Sequence, residues 1–236
     1  NDGTMASSLN IYSTTWSDRI ATKYVQNLDG EDDIVYLTGI EQVHSGVESE
    51  IAWQVNDMAR LDIGFSYGNW GYADNALGTY RDGDSDSEFG YALKDVKVGD
   101  MPQTMLLAGL TLNPVDGAAI RAQYRYYDRH HADWNVSSRE YDPTSEDPDG
   151  LYASTVWITP SYGVLDIHAT YALPFEIGPA KPKVFLHILN ALDETYIQDA
   201  VDNSAYNSWN KTSSADDAEV YFGLPLSFNL GLSVDF

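Results

Sequence analysis

The sequence predicts an all-β fold, an antiparallel up-and-down transmembrane β-barrel with about eight strands, and three observations predict it. Residues 224–236 place Leu224, Leu226, Phe228, Leu230, Leu232, Val234 and Phe236 two apart, with Ser227, Asn229, Gly231, Ser233 and Asp235 between them. The same period of two returns in earlier segments. The connections between these segments alternate between short turns and long polar stretches. A period of two describes a strand with one apolar and one polar face. Length decides what the apolar face meets: about nine to eleven tilted residues cross a bilayer, whereas strands of globular proteins centre on about five or six.

Composition narrows the class. The 236 residues are 43% hydrophobic and hold no run of eighteen apolar residues, which excludes a transmembrane helix. A barrel passes the same test, because half of every spanning strand is polar. Cysteine is absent, which removes disulfides, thiol catalysis and thiolate metal sites. A net charge of -23 repels nucleic acid and anionic lipid, so no nucleic-acid partner is expected. The 17 Tyr and 6 Trp suit the aromatic girdles of a barrel, and equally a β-sandwich or a sugar-binding surface.

In chain order, 9–16 is a weak first strand. At 47–55, Val47, Ser49, Ile51, Trp53 and Val55 alternate with Glu48, Glu50, Ala52 and Gln54. At 61–67, Leu61, Ile63, Phe65 and Tyr67 alternate with Asp62, Gly64 and Ser66. A weaker strand follows at 104–112. At 118–127, Ala118, Ile120, Ala122, Tyr124 and Tyr126 lie opposite Arg121, Gln123, Arg125 and Tyr127, apolar out and cationic in. Leu165, Ile167, Ala169, Tyr171 and Leu173 alternate with Asp166, His168 and Thr170. Segment 183–190 is apolar on both faces, Val184, Leu186 and Ile188 against Phe185 and Leu189, so its orientation stays open. Residues 224–236 close the series.

Short turns carry Asn56-Asp57, residues 113–117 and the Pro-bearing 174–182, while long polar segments run over 23–33, 70–100, 133–160 and 193–222. Brief periplasmic turns and extended extracellular loops give this order, with the carboxyl terminus periplasmic. No helix, interdomain linker or repeat beyond the hairpin rhythm is expected. Asn1 opens without a charged and apolar leader, so a leader has been removed or the chain begins midway through a longer one.

Several local motifs resemble one family. Gly46-Val47-Glu48-Ser49-Glu50 resembles the G-V-E-x-E that opens a descending strand in TonB-dependent outer-membrane receptors, and 190–197 is similar to their N-L-x-D-x-x-Y near the last hairpin. Asn10-Ile11-Tyr12 leading to Trp16-Ser17-Asp18-Arg19, Gly99-Asp100-Met101-Pro102-Gln103-Thr104 and the terminal Phe236 match in order. The resemblance implies a barrel of twenty-two strands filled by an amino-terminal plug, with residues 1–236 as its carboxyl-terminal portion and the plug outside this chain. It also implies uptake of a scarce ligand (siderophore, cobalamin, haem or oligosaccharide) with TonB-derived energy. The implied partners are outer-membrane lipid, the plug and remaining strands of the same receptor, the TonB complex through that plug, and the ligand. The matched residues are structural markers and carry no ligand contact.

Candidate sites come from the residues themselves. Glu48, Glu50, Asp62, Arg121 and Arg125 are expected to face the lumen, because charge on the lipid face is costly. They read as compensating charges, with a cationic ladder for an anionic ligand or plug carboxylate as the sharper alternative. Trp70, Tyr72, Tyr127, His130, Trp134 and Trp209 are the ligand-contact candidates, an aromatic rim that would grip a sugar or chelate ring; interface girdling explains most of them equally well. Asp82, Asp84, Asp86 and Glu88 put acidic oxygens at every second residue of an outer segment, a spacing that can wrap Ca²⁺. An EF-hand would need Gly and Glu where Ser87 and Leu93 stand, so a solvated acidic loop is the favoured reading. Asp142, Glu146, Asp147 and Asp149 form a second, weaker acidic cluster. His130 and His131 between Asp128 and Asp133 invite a hydrolytic reading, but no Ser sits in a G-x-S-x-G turn, so no enzyme is expected. The rival readings are a self-contained eight-stranded barrel acting as adhesin or structural protein, and a secreted glycan-binding β-sandwich.

Overall fold

The structure, a computed structural model, describes residues 4–26, 30–82, 85–141, 156–204 and 213–235. Its strands in chain order are β1 Met5–Gln26, β2 Asp32–Asn56, β3 Ala59–Tyr72, β4 Ala76–Asp82, β5 Ser85–Tyr91, β6 Pro102–Leu112 and β7 Ala118–His130. There follow β8 Glu140–Tyr141, β9 Tyr162–Ala172, β10 Lys181–Leu189, β11 Ile197–Asp202, β12 Ala218–Phe222 and β13 Ser227–Asp235. Eight of them form one sheet in the order β1-β2-β3-β6-β7-β9-β10-β13, each pair antiparallel. All eight predicted strands are present in it. Among the described residues β1 and β13 each pair on one side only, so the sheet has two free edges.

Register shows why these residues form a wall. One cross-strand row runs Met5, Trp53, Leu61, Leu110, Ala122, Ile167, Ile188, Phe228, and every member is apolar. The adjacent row on the other face runs Gln54, Arg60, Thr111, Arg121, His168, His187, Asn229, and every member is polar. A one-residue slip at any pair would exchange the two faces, so the pattern pins the register. The apolar row starts near the beginning of β1 and reaches Phe228, near the beginning of the antiparallel β13. The strands are therefore staggered, as tilted barrel strands must be.

The wall encloses no core of its own. Its apolar face is uncovered, with Phe228 77%, Leu230 67% and Ile11 77% exposed. Tyr67 and Trp53 lie near the two ends of this apolar band, the positions of aromatic girdles. Pairing also resolves 183–190. Val184, Leu186 and Ile188 pair with Leu232, Leu230 and Phe228 on the apolar face, and Phe185 lies on the polar face across Gly231, where a Cβ would meet its ring at 2.3 Å.

Three expectations are corrected. Residues 23–33 are not a long loop: β1 and β2, of 22 and 25 residues, continue past the apolar band as a hairpin paired to Gln26 and Asp32. The extension is hidden in sequence because register shifts between Trp16, Arg19 and Ala21, with Asp18 at φ 57°, change which residues face inward. The long segments 70–100, 133–160 and 193–222 contain β4, β5 and β8 in a three-stranded sheet and β11 with β12 in a two-stranded one. Among the described residues, Ala76, Tyr91 and Leu93 of segment 70–100 pack with Leu37 and Ile40 of β2 in a buried apolar cluster, against which Trp134 and Val136 lie. Finally, β13 begins at Ser227, not Leu224, because the backbone before it is claimed by a turn.

That turn is the 190–197 motif. Asn190, at φ 51°, donates from Nδ2 to the carbonyls of Glu194 (2.8 Å) and Leu224 (3.0 Å) and accepts from the Glu194 amide (2.9 Å). Asp193, at φ 52°, accepts from the Leu226 amide (3.0 Å). Asn and Asp tolerate left-handed backbone and bond to nearby amides, which is why they stand here. Gly46 and Gly68 are cross-strand partners, and a Cβ on either would meet Tyr12 Oη at 2.5 Å or the Trp70 indole at 2.7 Å.

Placing a cation on the apolar face tests the orientation. Leu230→Arg on β13 is expected to lower the stability of the vesicle-folded protein by roughly 2–4 kcal/mol, while Asn229→Arg, one residue away on the polar face, leaves it within about 0.5 kcal/mol. Urea unfolding of both variants in lipid vesicles reads the difference.

Candidate functional site

The polar face collects the charged residues in short-range pairs. Asp62 receives Arg60 at 2.8 Å and Arg121 at 3.3 Å, and Arg121 also donates to Gln123 Oε1 from Nε (3.3 Å) and Nη2 (3.1 Å). Arg125 pairs with Asp166, whose other oxygen accepts the Asn190 amide at 2.9 Å. Asp166 thus joins the wall to the turn before β13, and sequence reasoning placed it on the polar face without giving it this role. Glu48 accepts from Asn10 Nδ2 at 3.2 Å, and both Glu48 and Glu50 are exposed. A concavity of 480 Å³ lies among Ser8, Glu50, Arg60, Asp62 and Arg121.

Beyond the apolar band the wall opens and its strands part. Pairing of β3 with β6 stops at Tyr67 and Thr104, so the backbone of 68–72 needs other partners. Gln103, fully buried, serves Trp70: its Oε1 accepts the Trp70 amide and its Nε2 donates to the Trp70 carbonyl, both at 3.1 Å, while the Tyr72 amide donates to the Val96 carbonyl at 2.9 Å. Arg129 donates to the carbonyls of Gly68 (2.7 Å) and Gln103 (2.8 Å) and to Thr104 Oγ1 (2.8 Å), with its guanidinium 4.0 Å above the Tyr67 ring.

The predicted aromatic rim divides into separate groups. Trp70 stacks on His44 (5.5 Å), which stacks on Trp16 (5.2 Å), and the Trp70 indole N–H donates to Tyr12 Oη at 2.9 Å. Tyr72 packs on Trp134 at 5.1 Å; Trp134 donates to the Lys97 carbonyl at 3.0 Å and lies 4.8 Å beneath the Arg139 guanidinium. Tyr127 packs on Tyr162 with tilted rings (5.0 Å, 39°), and Tyr162 stacks on Tyr196 (4.4 Å); with Arg125 and Gln198 they border a 230 Å³ cleft. His130 is buried, and Trp209 lies outside the described residues. Sequence reasoning missed Tyr12, Trp16, His44, Tyr162 and Tyr196, since only register reveals what they stack upon.

Neither ring nitrogen of His130, nor Nδ1 of His131, has a hydrogen-bond partner, so these atoms form no His–carboxylate dyad. Burial, then the charges of Lys97, Arg129 and His130, hold the His131 imidazole down to about 4. Of the proposed Ca²⁺ ligands, Asp84 and the side chains of Asp82 and Asp86 lie outside the described residues, and Glu88 is exposed. Residues 142–149, with the second acidic cluster, also lie outside them. Among the described residues no cluster of three or more His, Asp or Glu could hold a metal.

The sheet, with one apolar and one polar face, has the antiparallel fold of a β-barrel wall, and solved barrels superpose on it. Among the particular likenesses are three solved structures, each superposing on 98% of this chain. The copper transporter OprC does so with TM-score 0.58 at 12% identity. P. aeruginosa FpvA bound to heterologous pyoverdines gives 0.55 at 15%. The FpvAI–pyocin S2 complex gives 0.58 at 15%. At these identities the likeness is one of fold. This chain spans 30%, 25% and 24% of the length of those chains. No protein-family model matches the chain, and no curated protein matches it by sequence.

Two outcomes follow from the site. Asp166→Ala leaves Arg125 without its carboxylate and the buried Asn190 amide without an acceptor. A loss of about 2–3 kcal/mol is expected in urea unfolding, below the 3–5 of a fully buried pair because Arg125 is 37% exposed. His131 stays neutral in the folded protein down to about 4 whereas the unfolded chain protonates near 6.5. Its contribution is therefore complete above pH 6.5 and is lost as pH falls toward 4. Hydrogen exchange of amides 128–133 should quicken across that window, and His131→Gln should flatten the dependence.

Proposed function

We propose that this chain is the carboxyl-terminal portion of the barrel of a TonB-dependent outer-membrane receptor, about eight strands of twenty-two. The observation that carries the reading is the sheet with one wholly apolar row, one wholly polar row and two free edges, matched along 98% of its length to chains three to four times longer. Hydrocarbon has no water to satisfy an open strand edge, so β1 and β13 call for neighbouring strands. Polypeptide outside these 236 residues would supply them, together with the plug that meets TonB. The uncovered apolar face then meets lipid, the paired charges of Asp62, Arg121, Arg125 and Asp166 line a hydrated lumen, and the outer segments face the medium with the carboxyl terminus periplasmic.

The whole protein would import a scarce ligand with TonB-derived energy. FpvA is bound to pyoverdine in one of the similar structures, and an iron chelate of that kind is the ligand proposed for the mouth, on the strength of the stacked rings and guanidinium groups gathered there. The ligand contacts are assigned to the groups around Trp70, Tyr72, Tyr127, His130 and Trp134, and Trp209, outside the described residues, is kept as a candidate from the sequence. Ca²⁺ in the acidic outer segments is a subsidiary proposal. The chain itself does no covalent chemistry. A β-sandwich would bury the apolar face now left open, and a self-contained eight-stranded barrel would pair β1 with β13.

Deleting the gene for the intact polypeptide is expected to abolish uptake of one class among ferric siderophore, cobalamin, haem and oligosaccharide. Removing TonB should cause the same loss. Unchanged uptake of all four would contradict the proposal.

A further inference from the structure

His168 on β9 and His187 on β10 are direct cross-strand partners on the polar face, and their Nδ1 atoms lie 2.8 Å apart. The rings are nearly perpendicular, 64° between planes and 4.9 Å between centroids. Phe185 packs against His187 at 5.2 Å and is itself fixed over Gly231, so the imidazole is held from below. Both histidines are half-buried. Along their row Arg121 precedes His168 and Asn229 follows His187. The Arg121 guanidinium is engaged with Asp62 and Gln123.

The geometry points to a bidentate imidazole site for a divalent transition-metal ion, built by His168 and His187. Metal–imidazole bonds of about 2.0–2.1 Å at a cis angle near 90° set the nitrogens about 2.9 Å apart, while a tetrahedral angle sets them about 3.3 Å apart. The observed 2.8 Å matches the cis arrangement of tetragonal Cu²⁺ or Ni²⁺ and is short for tetrahedral Zn²⁺. Imidazole nitrogen suits Cu²⁺ best in the divalent series, so Cu²⁺ is the ion assigned, with water completing its shell. Among the described residues no third His, Asp or Glu joins the pair, which makes the site open and exchangeable, unlike a structural metal centre. The assignment rests on cross-strand geometry and stands apart from the transport reading.

The test uses the intact, detergent-extracted polypeptide, stripped with chelator and titrated with CuCl₂. Electron paramagnetic resonance is expected to show a bound Cu²⁺ with coupling to two imidazole nitrogens. His168→Gln and His187→Gln should each remove one nitrogen coupling and weaken that site by roughly tenfold or more, the scale on which even outer-shell partners act. NiCl₂ should compete better than MgCl₂. A wild-type protein that binds no Cu²⁺ in this way would show that the pair is only an N–H···N hydrogen bond. A two-nitrogen signal unchanged in both variants would place the ion elsewhere; each result overturns the assignment.

Discussion

In the proposed barrel, everything in the wall depends on pairing the backbone where water is absent. An amide or carbonyl left open in hydrocarbon costs several kcal/mol, so the strands must be regular, continuous and joined to neighbours throughout the apolar band. Ordinary burial cannot stabilise them there, because the oily face has no protein to cover it. The side chains instead sort by row: Met5 through Phe228 on one face and Gln54 through Asn229 on the other. Small departures are filled locally, as when Phe185 covers Gly231 and Tyr12 covers Gly46.

Past the band the constraint relaxes and different physics takes over. The strands separate, bulge at Asp18 and enclose a conventional core around Leu37, Tyr91 and Leu93. Freed backbone groups are recovered one at a time by Gln103 and Arg129. The candidate site grows at this boundary. Stacked rings and guanidinium groups accumulate where the sheet no longer pairs with itself, and the turn built by Asn190 and Asp193 fixes the start of β13 beside it.

The wall was legible in the sequence because its code is local. Alternation located five of the eight strands clearly and the spacing of turns added three weaker ones, and the 190–197 resemblance marked a turn whose side chains bind the chain before β13. The outer region was not legible, since its elements rely on distant partners. β4 and β5 carry little alternation and are recognised only by their packing against Leu37, and the bulges near Trp16 and Arg19 break the parity that would have extended β1. The same limit applies to the site. Trp70 and Tyr72 are close in sequence, yet one joins Trp16 and His44 and the other Trp134. The His168–His187 pair likewise needs the β9–β10 register before its two rings are seen to meet.

The most direct test of the central claim, that this sheet is an arc of a larger barrel, is the intact mass of the polypeptide carrying it, extracted from its membrane without proteolysis. A mass three to four times 26.2 kDa is expected from the 24–30% of each similar chain that this sheet spans. A mass near 26.2 kDa would contradict the claim and require β1 and β13 to find each other.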